Sequence, residues 1–191
     1  MADIQKKVHA AAVPMLMAGE EVLAGMYVVP APQLRFGIGA GTGMAGGGLV
    51  GLAVGAAVDR HFQKEDGGDP DPGGLAGRPP VEPALPKVTG GLLVITTERL
   101  LVWALSATNK PKTLIHDYPL SIVDTVAWRR LKAGSEYLGG RINLGCTAIW
   151  IGLGDRVLPV ASLGAFQEPN TAPVLNALTA RRPGRVHEIT D

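Results

Sequence analysis

Residues 90–105 read Gly-Gly-Leu-Leu-Val-Ile-Thr-Thr-Glu-Arg-Leu-Leu-Val-Trp-Ala-Leu, and this stretch decides the fold class. Two apolar runs, 92–96 and 100–105, stand on either side of the polar residues 97–99. Short runs rich in β-branched, aliphatic and aromatic side chains, separated by a tight polar turn, are typical of paired strands. The stretch therefore predicts two successive β-strands that are joined by a turn.

Further strands are predicted on both sides of this pair. Residues 21–29 precede it and end at Pro30 and Pro32, because proline cannot donate a hydrogen bond to a neighbouring strand. Four short runs follow it, with turn-rich pieces between them: 113–118, 122–129, 141–151 and 156–160. Short strands in succession with tight connections predict an antiparallel meander that closes into a small barrel or sandwich.

Two helices are predicted at the ends of the chain. Residues 3–17 carry Ile4, Val8 and Ala11 on one face, and we expect this face to pack on the domain rather than on a membrane surface. Pro14 makes the last turn of this helix uncertain. The second helix is predicted to begin at Asn170 or Thr171 and to end before Pro183, leaving a loose tail.

An uncharged, glycine-rich segment occupies residues 36–58, after the first predicted strand. Its glycines recur every four residues, at Gly39, Gly43, Gly47, Gly51 and Gly55. On a helix this spacing forms a stripe without side chains, against which a second helix can pack closely. As one helix the segment would be about 34 Å long, against about 30 Å for the hydrocarbon core of a bilayer. It could span a membrane, enter and leave on one side with a bend at 46–48, pack against a protein partner, or form a loop.

The sequence pattern resembles the pleckstrin-homology-like (PH-like) superfold in its small bacterial versions. The resemblance is carried by Gly90–Trp103, with its Thr-x-x-Arg turn, and it covers residues 20–29 and 88–182. It implies a mainly β (α+β) fold, in which a seven-stranded barrel has a C-terminal capping helix, a short N-terminal helix and a long helical glycine-rich insert between the first two strands.

The organisation that follows has five parts. We expect an N-terminal helix (1–19), a barrel domain (20–32 and 88–182), a glycine-zipper insert (33–60), a Gly/Pro/Asp-rich linker (61–87) and a tail (183–191). The linker is expected to be a solvated tether, because residues 65–74 lack any apolar side chain apart from proline.

Composition argues against several classes of function. A formal charge of +1 does not favour a nucleic-acid binder that relies on bulk charge. Cys146 is the sole cysteine and no signal peptide is apparent, so we expect a cytoplasmic protein, at the inner face of the cell membrane. Residues 41–46 match G-x-G-x-x-G, but the strand–turn–helix context of a dinucleotide site is missing.

No residue pattern indicates catalysis, so we expect no enzyme, no cofactor and no metal. The four histidines are scattered, and adjacent His116 and Asp117 should point to opposite faces of a strand. A set of basic residues forms the candidate contact with anionic lipid: Lys110, Lys112, Arg129, Arg130, Lys132 and Arg141. The sequence thus predicts a binding or scaffold module that associates with the membrane or with itself through the glycine zipper. The alternative is a soluble homo-oligomeric adaptor whose glycine-rich helices pack together without lipid.

Overall fold

The computed structural model of the chain describes residues 2–31, 74–75, 77–86, 89–131, 146–162 and 164–189. Helix α1 (Ala2–Ala12) leads into a 3-10 turn (Val13–Met15), and a second 3-10 turn (Leu120–Ile122) connects β4 to β5. The other elements follow in chain order: β1 (Val22–Pro30), β2 (Gly91–Thr96), β3 (Arg99–Leu105), β4 (Pro111–Pro119), β5 (Val123–Leu131), β6 (Cys146–Leu153), β7 (Arg156–Ser162), α2 (Gly164–Arg181) and β8 (Val186–Glu188).

Within these ranges the strands form one eight-stranded sheet in the order β4-β3-β2-β1-β7-β6-β5-β8. Strands β1–β4 and β5–β7 are two antiparallel meanders, and β8 adds to β5 in parallel. β1 joins the meanders, because Val22–Val28 pair with β2 whereas Val29 and Pro30 pair with β7. The long first strand therefore belongs to both halves of the sheet.

The seven strands expected from the sequence are present, but the expected seven-stranded PH-like barrel is wrong. The sheet is open, with β4 at one edge and β8 at the other. Alternating apolar residues and tight turns are common to barrels and open sheets, and closure depends on the pairing of distant edge strands, which no local pattern encodes. The expected long helical insert between β1 and β2 is not found either, since residues 31, 74–75, 77–86 and 89–90 contain no helix. The glycine segment 36–58 lies outside the described residues.

The core is built from both meanders and α2. Met26, Leu93, Ile149 and Leu158 contribute to its main cluster, into which α2 inserts Val174 and Leu178. The opposite face of β2 and β3 is covered by α1, whose buried side chains include Ile4, Val8 and Ala12. Because apolar layers lie on both faces, all six residues of β2 are buried.

The helix boundaries differ from the predicted ones. α1 ends at Ala12, and the 3-10 turn that follows contains Pro14, since proline removes a helical hydrogen bond. The predicted start of the second helix at Asn170 or Thr171 is wrong, because α2 begins at Gly164. Asn170 and Thr171 are buried inside the helix, so their local preference for a cap did not decide where it starts.

Candidate functional site

One edge of β7 binds the long connection between β1 and β2 at two separate points. The Ala31 amide donates a hydrogen bond to the Pro159 carbonyl at 3.2 Å, where the chain leaves β1. Farther along the chain, the Val157 amide donates to the Pro79 carbonyl at 3.0 Å, and the Val81 amide donates to the Val157 carbonyl at 2.9 Å. Val157 and Pro159 are two residues apart on one strand, which corresponds to about 7 Å. The chain therefore leaves and returns at neighbouring points, and we call Val29–Ala31 together with Pro79–Val81 the attachment edge.

An arginine clamp fixes the returning chain to the sheet. Arg78 Nη1 lies 2.6 Å from Asp124 Oδ2 of β5 and 2.7 Å from the Gly154 carbonyl, while Nε donates to the Gly74 carbonyl at 2.6 Å. Gly152 of β6 leaves room for this clamp, because a Cβ atom there would collide with Asp124 Oδ1 and lie 2.9 Å from Arg78 Nη1. The ion pair thus holds the return point against the β5–β6 hairpin.

Apolar packing reinforces the same region. Ala31 and Leu75 are buried in one cluster with Trp150 on the outer face of the second meander. Val81 and Leu85 are buried in the main core. The described part of the predicted linker 61–87 is consequently packed on the sheet from Leu75 onward.

A buried charge cluster ties the N-terminal region to the β2–β3 turn. Arg99 donates to both carboxylate oxygens of Glu20, from Nε at 3.0 Å and from Nη2 at 2.8 Å. It also donates from Nη1 to Asp117 Oδ2 at 2.8 Å and from Nη2 to the Met15 carbonyl at 2.7 Å. Thr96 Oγ1 bonds the same carboxylate and accepts the Arg99 amide at 2.7 Å. The Thr-x-x-Arg turn thereby fixes the connection between α1 and β1.

The charges of this cluster stabilise one another. Hydrogen bonds from Arg99 lower the pKa of Glu20 from 4.5 to about 2. Burial opposes this shift, whereas hydrogen bonds from the Met17 amide and Thr96 act in the same direction. The hydrogen-bonded Glu20 carboxylate raises the pKa of Arg99. Sequence reasoning singled out the turn but missed its partner, since nothing in the sequence near Glu20 indicates which distant cation it meets. With its donors and acceptors directed at one another, the cluster is suited to positioning the chain.

His116 and Asp117 lie on different sides of β4. Asp117 is exposed and binds Arg99, whereas His116 is buried, with its ring stacked on Tyr118 at a centroid distance of 5.4 Å. Burial lowers the pKa of His116 and raises the pKa of Tyr118. His116 Nδ1 lies 3.2 Å from the Tyr118 hydroxyl, and the burial of the ring favours its neutral form.

A groove of about 250 Å³ opens between α2 and the β5–β8 edge. Its lining combines the Trp128, Leu175 and Val186 side chains with polar groups such as Arg130 and Asn176. Mixed apolar and polar lining of this kind can receive side chains of an extended segment. The sequence does not predict the groove, because one side of it is β8, which lies in the predicted loose tail 183–191.

The described candidates for lipid contact lie on or beside two strands. Lys110 precedes β4 and Lys112 lies near its start, and both are exposed, whereas Arg129 and Arg130 lie near the end of β5. Consecutive strand residues point to opposite faces, and Arg129 is buried while Arg130 is exposed. Lys132, Arg141 and the five predicted packing glycines lie outside the described residues.

Two further features are absent from the described ranges. No helix in them combines the length and the hydrophobicity that crossing a membrane requires. No three of their His, Cys, Asp or Glu side chains converge in an arrangement that could hold a metal ion.

Two comparisons with known proteins found no match. No protein-family model matches the chain, and no curated protein matches it either. They add no support to the resemblance with PH-like proteins, so the function has to be argued from the residues and their geometry.

Proposed function

We propose that the protein is a non-enzymatic binding or scaffold module, whose β-sheet unit is held to a membrane or to further copies of itself by the glycine-rich segment 36–58. The observation that carries this proposal is the attachment edge, where the chain before residue 32 and the chain after residue 78 are both bound to β7. Because the described residues on either side are fixed to one folded unit, the proposal assigns the contacts of residues 36–58 to partners outside that unit.

The attachment edge argues against a single membrane crossing. If residues 36–58 crossed once, residues 59–73 would have to cross back to reach the return point. That stretch contains seven charged residues: Asp59, Arg60, Lys64, Glu65, Asp66, Asp69 and Asp71. Each would be costly in hydrocarbon, at about 3 kcal/mol for Arg, Lys or Asp at the centre of a bilayer. The membrane form of the proposal is therefore a re-entrant hairpin that begins and ends on the cytoplasmic side.

The alternative is a soluble homo-oligomeric adaptor, in which the glycine stripes of several copies pack together. In this form the packing of the stripes must offset the cost of glycine in a helix in water, about 1 kcal/mol each relative to alanine. In both forms the partner is a second copy, another protein or lipid. Exposed Lys110, Lys112 and Arg130 could add weak attraction to anionic headgroups.

The test compares bulk placed on the glycine stripe with the same kind of bulk placed elsewhere. Gly47→Leu and Gly51→Leu place side chains on the stripe, whereas Ala53→Leu adds bulk about 200° around the helix from Gly51. We expect self-association, measured by cross-linking and by sedimentation in mild detergent, to fall in the two glycine variants and to persist in Ala53→Leu.

Flotation with anionic vesicles separates the two forms. Because each substitution raises hydrophobicity, insertion into lipid should survive in all three variants. Flotation of the unaltered protein and of all three variants supports the re-entrant form, and its absence throughout supports the adaptor. Equal loss or equal retention of self-association in the three variants would contradict the zipper. Equal retention of self-association, together with no flotation of any of the proteins, would contradict the whole proposal.

A further inference from the structure

The strand β8 covers a small part of the β5 edge. Val186, His187 and Glu188 pair in parallel with Val126, Ala127 and Trp128, so three of the nine residues of β5 are covered. The Val126 amide donates to the Arg185 carbonyl at 2.7 Å, and the Ile189 amide donates to the Trp128 carbonyl at 2.8 Å. The chain's own tail thus demonstrates that this edge accepts an extended strand in a defined register.

Few side chains hold β8 in place. Val186 is half-buried, packs against the main core and lines the groove, and Ile189, just after β8, is half-buried against the cluster that contains Trp150. His187 and Glu188 are exposed. A strand with few buried apolar contacts opens at a lower free energy than the core does. We therefore expect β8 to leave the sheet while β1–β7 stay folded.

The connection to α2 allows this release without loss of the helix. The end of α2 is fixed by Arg182, whose Nε donates to the Val123 carbonyl at 2.8 Å and whose amide donates to the Leu178 carbonyl at 2.7 Å. The chain then turns through Pro183 and Gly184, where Gly184 has φ +72°. Glycine adopts this backbone region readily and can leave it again at low cost. The hinge therefore lies after Arg182.

We propose that the β5 edge also accepts β8 from a second copy of the chain, in the register that it holds within one copy. An open strand edge is a template for another strand, and a second copy carries a segment that is known to fit. Reciprocal exchange restores the same backbone hydrogen bonds and returns Val186 to the groove beside Trp128 and Leu175. The exchange links two β-sheet units directly, at a surface separate from the glycine segment.

The inference rests on the proposed function, because association through residues 36–58 would raise the local concentration of one copy's tail near the β5 edge of another. A tail tethered by a few residues has an effective concentration of about 1 mM at its own β5 edge. At about 10 µM protein, separate copies would therefore exchange in about one case in a hundred. Copies that are already held together by residues 36–58 would exchange their tails far more often.

Paired cysteine variants test the exchange in full-length protein. Ala127 and His187 are register partners, so cysteines at these positions can form a disulfide when β8 pairs with β5. In a Cys146→Ser background, Ala127→Cys is carried by one copy and His187→Cys by another, each with a different tag. After mixing and mild oxidation, a covalent heterodimer can form only when the tail pairs with the other copy. The matched control replaces His187→Cys with Glu188→Cys, one residue out of register and on the opposite face of the strand.

The expected result is heterodimer from the Ala127/His187 mixture at ten-fold or more above the Ala127/Glu188 mixture. A chain that carries both Ala127→Cys and His187→Cys, oxidised in dilute solution, should close its own disulfide and then yield no exchange. Equal yields from the two mixtures, in a sample that sedimentation shows to be associated, would overturn the inference, as would failure of the double variant to form any disulfide.

Adding Gly47→Leu to both partners separates this inference from the proposed function. A large fall in heterodimer, towards the one-in-a-hundred level, supports both ideas. Undiminished heterodimer, still above the Glu188 control, supports tail exchange and contradicts the glycine zipper. If Gly47→Leu abolishes association, and the proteins without Gly47→Leu give no register-specific heterodimer, the zipper is supported and tail exchange is contradicted.

Discussion

Replacing Arg99 by methionine should lower the free energy of unfolding by more than a surface substitution does. The difference in stability between this variant and the unaltered protein should become smaller in acid. The variant removes the cation that gives Glu20 two hydrogen bonds and Asp117 one. The Glu20 side chain is only 1% exposed, so its carboxylate would remain buried without a counter-charge. Breaking one side of a buried ion pair costs about 3–5 kcal/mol, and we expect a loss in this range at pH 7.

The pH dependence follows from the pKa of Glu20. A carboxyl whose pKa is lower in the folded than in the unfolded protein stabilises the fold above its unfolded pKa, and this contribution is lost as the pH falls. A fall from 4.5 to about 2 is worth at most about 3 kcal/mol. By pH 3 the unaltered protein should have lost about 2 kcal/mol of it. In Arg99→Met the same carboxyl gains from protonation, so the gap between the two proteins should narrow.

Urea unfolding at pH 7 and pH 3, followed by tryptophan fluorescence and circular dichroism, measures both effects. Arg181→Met is the matched control, because Arg181 is exposed at the end of α2, and it should change the free energy of unfolding by less than about 0.5 kcal/mol. An Arg99→Met loss below about 1 kcal/mol at pH 7, or a gap as wide at pH 3 as at pH 7, would refute the reasoning.

Two further outcomes follow from the attachment edge and from β4. A protein in which a short linker replaces residues 35–72 should keep a cooperative thermal melt. Deletion of 35–86 also removes the buried side chains Leu75, Val81 and Leu85, and should lower the free energy of unfolding in urea by roughly 5 kcal/mol. Similar stabilities of the two deletion variants would contradict the packing of the return segment. Because burial lowers the pKa of His116, the unfolded state binds more protons below about pH 6.5, and stability should fall there. His116→Gln should flatten this slope in pH-dependent melts, and an unchanged slope would assign it to other groups.

Strand positions could be predicted because a short run of apolar residues indicates a buried strand without reference to the rest of the chain. Leu93 and Ile95 face the main core while Leu92 and Val94 face α1, so β2 is apolar throughout and is recognisable without its neighbours. The order of the strands was not accessible in this way. The β1–β7 pairing, which joins the two meanders, is a contact between residues far apart in sequence, and no local pattern specifies it.

The attachment edge could not be predicted for a different reason. Residues 79–86 contain four prolines and few apolar side chains, which is a composition typical of a tether. They are nevertheless fixed, because single residues such as Val81 and Leu85 reach the core and Arg78 finds Asp124. β8 was missed in the same way, since three residues held mainly through their backbone leave no periodic signal.

The position of β1 has a consequence for the order of folding. Sixty residues separate Pro30 from Gly91, whereas β2–β4 and β5–β7 need mostly short connections. Loop closure over a long connection carries a larger entropic cost, so β2–β4 and β5–β7 can each form before β1 docks. Until it docks, the two halves lack the strand that joins them, and the β2 and β7 edges stay open to wrong partners. The last strand to arrive is then the first one made by the ribosome, and the chain depends on retaining it until the rest of the sheet exists.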